Sequence, residues 1–371
     1  MTGRTLESVA RRQMAFADDE RDLEETAAKL GAWLAPKLEV ATSDLRIENL
    51  EAPLSTGFSS DTLLFDLTYE RDGETHSEGL VARLEPEEYV MFPEYDIALQ
   101  ARVLQGLERT AVPVPKVRWL ELDQGVLGVP FYLMDRVDGR IPTDNPPMHD
   151  DGWVVDDLNE AERKALWWNG FEAMCKVHGV SWEGHFDFLL EPERGETPLD
   201  QQLDYYRHYF RWGMAAERHP DIVEALDYLE RHKPKQQPIA LCWGDSRLAN
   251  QIFDGIECVA VLDWEMVRLG DPVQDLAWWL ASDRCFTEGL EIDRLPGFPT
   301  AAETIARWQE ITGFSAESFE YYSVLALTRF SMQMARVGQY MKKIEIIDDE
   351  NEFDAENLAS VTLRRALQEV K

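Results

Sequence analysis

The sequence predicts an α+β chain in two parts, a small antiparallel sheet followed by a larger, mainly helical half. Three observations predict it. Short alternating runs separated by turn signals lie between Leu45 and Leu84. Helical periodicities dominate after Asn159. A polar loop at residues 242–250 runs into a hairpin pattern that ends at Asp263. At 371 residues the chain suits two domains or one large two-part fold, and a hydrophobic content of 44% supplies sizeable cores.

Taken in order, residues 1–20 read as a poorly ordered lead-in. Leu30, Trp33, Leu34 and Leu38 fall on one face of a helix over 24–38. Strands follow at 45–50, 62–69 and 79–84, with Asp72-Gly73 as a turn. A helix is expected over 94–107, and the apolar run 131–134 is a strand that ends in a polar turn. Residues 141–151, rich in Pro and Asp, are loop. Helices are expected at 159–180, 199–212, 221–232, 272–281, 301–312 and 318–340, and a closing helix from Leu358. The acidic run 345–356 is expected to be a solvated connector.

The chemistry concentrates at the loop and hairpin. Asp245 precedes Asn250 by five positions, and Asp263 follows Asn250 by thirteen. Gln251-Ile252-Phe253, the turn Asp254-Gly255 and the β-rich run 258–262 fold the chain back, so Asn250 and Asp263 become neighbours. Three such oxygen-bearing groups suit phosphoryl transfer. One Asp orients a hydroxyl and accepts its proton, while an amide oxygen and a second carboxylate hold Mg²⁺ against phosphates. A polar loop that merely ends in Asp is the competing reading, since Asp and Asn are common in loops.

The motifs Trp243-Gly244-Asp245 through Asn250, Leu262-Asp263-Trp264-Glu265, Leu269-Gly270-Asp271-Pro272 and Asp275-Leu276-Ala277-Trp278 resemble the signature of the aminoglycoside phosphotransferase superfamily. The resemblance is nearest to its bacterial branch, similar to the kinase-like domain fused to some acyl-CoA dehydrogenases. It implies a bilobal protein-kinase-like fold, with an N-lobe over 1–138, a mainly helical C-lobe over 139–371 and the site in the cleft. It implies ATP, or GTP in its place, with Mg²⁺ on Asn250 and Asp263 and Asp245 as the catalytic residue. It implies that the loop carrying Ser55, Gly57, Phe58 and Ser59 covers the phosphates, and that Arg83 stands for the usual phosphate-binding Lys. Gln100 would orient Arg83, and Asp135 and Val137 would lie in the adenine-pairing hinge. Glu265 and Asp283 are acceptor-pocket candidates, and His178 and Asp275 are expected to brace rather than react. The sequence departs from the pattern at Trp243, where the family has His, and at Arg83 and Gln100. Those departures keep a nucleotide-binding pseudokinase or scaffold as the alternative.

Composition narrows the partners. A net charge of −33, from 70 acidic and 37 basic residues, repels nucleic acid and anionic membrane. The expected partner is a small hydroxylated molecule. Cys175, Cys242, Cys258 and Cys285 show no C-x-x-C spacing, so a reduced cytoplasm without a zinc site is expected. No apolar run approaches a membrane span, and the polar start is not expected to act as a signal peptide. Gly244-Asp245-Ser246 mimics a serine-esterase block, but every His lies at or before His232, so no His downstream of the Ser could serve as its general base.

Overall fold

The computed structural model describes residues 22–52, 61–86, 89–235 and 237–371. It divides into two compact units, residues 1–108 with 114–138, and residues 109–113 with 139–371. The lead-in and the loop with Ser55, Gly57, Phe58 and Ser59 lie outside the described residues. Among the described residues no helix is long and apolar enough to cross a membrane.

Among the described residues the first unit begins with helix α1 (Leu23–Leu38), whose N-cap Asp22 accepts from the Glu25 N–H. Five strands then form one antiparallel sheet: β1 (Leu45–Glu51), β2 (Asp61–Arg71), β3 (Glu74–Leu84), β4 (Val117–Glu121) and β5 (Phe131–Asp135), in the order β1-β2-β3-β5-β4. Strand alternation decides the faces. Leu63, Phe65, Leu67 and Tyr69 of β2, with Leu80, Ala82 and Leu84 of β3, share a core with Leu30, Leu34 and Leu38 of α1. Each of these large side chains contributes roughly 1.5–3 kcal/mol by leaving water. Arg83 falls between Ala82 and Leu84 and therefore points to the opposite face, where its Nη1 donates to Thr62 Oγ1 at 3.1 Å. Helix α2 (Ile97–Leu107) buries Gln100, Val103, Leu104 and Leu107.

The second unit is mainly helical: α3 (Glu160–His178), α4 (Pro198–Gly213), α5 (Pro220–Arg231), α6 (Val273–Phe286), α7 (Ala301–Thr312), α8 (Phe319–Lys343) and α9 (Leu358–Glu369). Capping boxes start α3 at Asn159, α4 at Thr197 and α7 at Thr300. Two small antiparallel pairs sit among them, β6 (Ala240–Cys242) with β9 (Arg268–Gly270), and β7 (Gln251–Asp254) with β8 (Glu257–Val261). Arg140 adds to the second pair by exchanging both backbone hydrogen bonds with Phe253, each 2.8 Å.

The acidic run is solvated along most of its length, as expected, with Glu345, Asp348, Asp349, Glu350, Glu352 and Glu356 exposed, while Ile347 and Phe353 are buried and anchor it. Asp354, also buried, accepts two hydrogen bonds from Arg218, at 2.9 and 3.1 Å, and one from Lys342 at 2.9 Å. A buried carboxylate is tolerated there because two cations meet it.

Candidate active site

Strand β6 delivers the chain into Trp243-Gly244-Asp245. Gly244 has φ +92°, and a Cβ there would lie 2.1 Å from the Met266 carbonyl oxygen, so only glycine fits this turn. Asp275, fully buried on the first turn of α6, accepts from the Trp243 N–H at 2.7 Å and the Gly244 N–H at 2.9 Å. His178 Nε2 donates to the same carboxylate at 3.1 Å, while its Nδ1 accepts from Trp308 Nε1 at 3.2 Å. Those two partners fix the tautomer with the proton on Nε2, so His178 is a satisfied brace. The Trp243 indole donates to the Leu262 carbonyl at 2.8 Å and thereby ties the loop to the segment leading into Asp263.

The hairpin brings Asn250 and the segment leading into Asp263 together. Asn250 closes a 3₁₀ turn (Leu248–Asn250), and its carbonyl accepts from the Leu262 N–H at 2.9 Å, which sets Asp263 one residue beyond Asn250's direct partner. Asp263 has φ +61°, a left-handed conformation that Asp tolerates better than most residues. The Asn250 amide nitrogen donates to Asp245 Oδ2 at 2.7 Å and to the Asp245 carbonyl at 3.1 Å. Both amide hydrogens are thus committed, leaving Oδ1 as the group for a cation.

Asp245 is 5% exposed. Its Oδ1 accepts from Trp278 Nε1 at 2.7 Å. Arg247 Nε lies 3.0 Å from Oδ1 but is not aligned to bond it. The Arg247 guanidinium instead pairs with Asp144. Burial, and then the neighbouring Asp263 charge, push the Asp245 carboxyl up to about 7, against the pull of Asn250, Trp278 and Arg329. A buried carboxyl poised near neutrality, with its two oxygens fixed, suits a group that accepts a proton. Burial lowers Arg247, and the Asp263 and Glu265 charges act against that shift.

The donor set fits Mg²⁺. It comprises one amide oxygen and one carboxylate, both hard oxygen ligands. Among the described residues no three His, Cys, Asp or Glu side chains converge as a metal cluster, so a cation here needs further oxygens, as nucleotide phosphates provide.

The remaining candidates divide. Arg83, Gln100 and Asp135 belong to the first unit. Gln100 is buried, while Asp135 accepts from Arg118 Nη1 at 2.8 Å and its N–H donates to the Lys116 carbonyl at 2.9 Å. Val137 follows two residues after β5 ends. Glu265 is half-buried just past Asp263. Asp283, on α6, is already engaged by Arg294 Nε at 2.7 Å and lies 3.2 Å from His149 Nε2. Ser246 is fully buried, and its hydroxyl donates to the Asp275 carbonyl at 2.7 Å, which is no posture for a nucleophile.

Sequence reasoning gave no role to four residues around Asp245: Trp278, Arg247 with its partner Asp144, and Arg329. Trp278 was readable, because Asp275 and Trp278 stand three apart on a helix and therefore share a face. The other two pairings are long-range and leave no local signal.

An antiparallel five-stranded sheet followed by a helical unit with this loop and hairpin defines a kinase-like α+β fold. The sequence model of the phosphotransferase enzyme family matches residues 52–313, and the chain belongs to that family. Mouse acyl-CoA dehydrogenase family member 10 is 31% identical over 236 residues, which is 60% of this chain and 21% of the relative. The chain therefore spans about a fifth of that relative's length. A crystal structure of a putative aminoglycoside phosphotransferase from Ralstonia eutropha superposes with a TM-score of 0.64 at 21% identity, covering 92% of this chain and 98% of that one. The aminoglycoside phosphotransferase APH(4)-Ia, in ternary complex with AMP-PNP and hygromycin B, superposes with a TM-score of 0.55 at 16% identity and the same coverage of each.

Proposed function

We propose that the chain transfers the γ-phosphoryl group of ATP to a hydroxyl of a small molecule. The observation that carries this reading is the Asp245 carboxylate, buried, gripped by Trp278 and Asn250 and set beside Asp263. Asp245 takes the proton of the acceptor hydroxyl. The acceptor oxygen forms its bond to the γ-phosphorus as the bond to the β-phosphate oxygen breaks, and ADP leaves with that electron pair. Asn250 Oδ1 and Asp263 would hold Mg²⁺, which when bound neutralises charge on the phosphate oxygens. Arg83 would face the α- and β-phosphates, the loop with Ser55, Gly57, Phe58 and Ser59 would cover them, and Asp135 and Val137 would flank the base. Gln100 would support Arg83, with Glu265 and Asp283 towards the acceptor.

Family membership supports phosphotransfer over the scaffold alternative, as does the joint presence of Asp245, Asn250 and Asp263. The AMP-PNP complex of a protein of the same fold supports ATP as the donor.

Calorimetry tests the metal assignment. Asp263→Ala weakens binding of Mg²⁺ with nucleotide far more than binding of nucleotide without metal, because two protein oxygens make a poor site alone. Equal losses in both conditions refute it. Arg83→Ala raises the ATP KM by roughly tenfold or more, the loss of a charge-assisted contact of about 1.5–3 kcal/mol, and Arg83→Lys retains part of the effect. Unchanged ATP kinetics in Arg83→Ala would refute a phosphate-binding role for that residue.

A further inference from the structure

Arg329 lies on α8 and is 1% exposed. Its Nη2 donates to the Gly244 carbonyl at 2.7 Å. The two peptide groups that flank the Gly244 Cα are therefore both held, the first at the Gly244 N–H by Asp275 and the second at the Gly244 carbonyl by Arg329, two buried charged side chains of opposite sign. The guanidinium also lies over the Trp278 indole, 4.6 Å from the ring centroid, with Tyr206 at 5.4 Å. That indole carries the N–H bonded to Asp245 Oδ1.

Two arms thus run from one cation to the carboxylate, one through the backbone of the preceding residue and one through the indole. A buried guanidinium is an expensive way to fill space. Apolar replacements of buried charged groups are often neutral or stabilising, so packing alone gives no reason for Arg here. Its Nε and Nη1 meet no acceptor among the described residues, which adds to the cost.

We propose that Arg329 is a positioning residue that orients Asp245 through the Gly244 carbonyl and the Trp278 ring. The proposal rests on the phosphotransfer reading for its kinetic consequence, but its structural consequence is measurable without any turnover. An ¹H–¹⁵N spectrum of the indole N–H groups, with Trp278 assigned by its loss in Trp278→Phe, reads the bond to Asp245 directly.

In Arg329→Met the Trp278 resonance moves, kcat falls roughly 10–100-fold as misplacement of a reacting group does, and nucleotide affinity stays within about twofold of wild type. Arg329→Lys keeps the charge but lacks the flat fork that bonds Gly244 while stacking on the ring, so it falls between the two. Arg336→Met, on the same helix and stacked on Trp212, leaves the Trp278 resonance in place. Should Arg329→Met not fold, Arg329→Lys carries the test. A folded Arg329→Lys or Arg329→Met with the wild-type resonance and wild-type kcat overturns the proposal. A moved resonance in a protein with no transfer activity upholds the positioning and removes the reaction it was read to serve.

Discussion

Replacing Asp245 with Asn lowers kcat by roughly 10²–10⁴, the range for a positioned acid–base group, while nucleotide affinity changes little. The substitution keeps the size and one carbonyl oxygen, so Trp278 Nε1 can still find an acceptor. What is lost is the charge and the basic oxygen that would receive the acceptor proton. Asn250 then faces a side chain that also offers donors, and one of the two contacts it makes to residue 245 weakens. Those changes fall on the transfer step and spare the nucleotide, so kcat and Kd separate. Ser246→Ala is the control. It removes a hydroxyl that donates to the Asp275 carbonyl, and most activity persists. Steady-state kinetics with calorimetry of the same variants reads both quantities.

Gly244→Ala is the largest stability effect expected. An L-residue at φ +92° is strained, and its Cβ would meet the Met266 carbonyl oxygen and carbon at 2.1 and 2.5 Å. Those are backbone atoms, so no side-chain rotation relieves the clash, and the segment between Asp263 and β9 must shift. Losses of about 3–5 kcal/mol follow, in the tail of single-substitution effects. Gly255→Ala supplies the contrast. It also has positive φ, +59°, but nothing lies within 4 Å of its new Cβ, so it costs only about 1 kcal/mol. Thermal or denaturant unfolding of the two variants gives the comparison, and equal losses would mean that the Met266 contact does not constrain the loop.

The parts legible in the sequence are those with a local signal. Helix α1 follows from Leu30, Leu34 and Leu38 at helical spacing, and β2 from its alternation of Leu63, Phe65 and Leu67. The hairpin that sets Asp263 beside Asn250 was carried by Asp254-Gly255 between two β-rich runs. Strands β6 and β9 were not legible, because three residues are too few to alternate. Arg329 was hidden because it reaches Gly244 across 85 positions from within a long helix. The acidic run is exposed at most of its carboxylates, as its composition implies, while the anchoring of Asp354 by Arg218, at a separation of 136 positions, left no local signal. Trp243 stands where the resemblance has His, and its indole ties the loop to the Leu262 carbonyl, a contact across 19 positions that the sequence does not signal.

The central claim is that this site moves a phosphoryl group, and direct transfer of label tests it. The chain is incubated with Mg²⁺ and γ-labelled ATP against a panel of hydroxylated small molecules, with wild type, Asp245→Asn and Ser246→Ala side by side. The account predicts label on an acceptor hydroxyl with wild type and Ser246→Ala, and almost none with Asp245→Asn. Transfer by Asp245→Asn at the wild-type rate, or Mg²⁺-dependent nucleotide binding with no label passed to any acceptor, would contradict it.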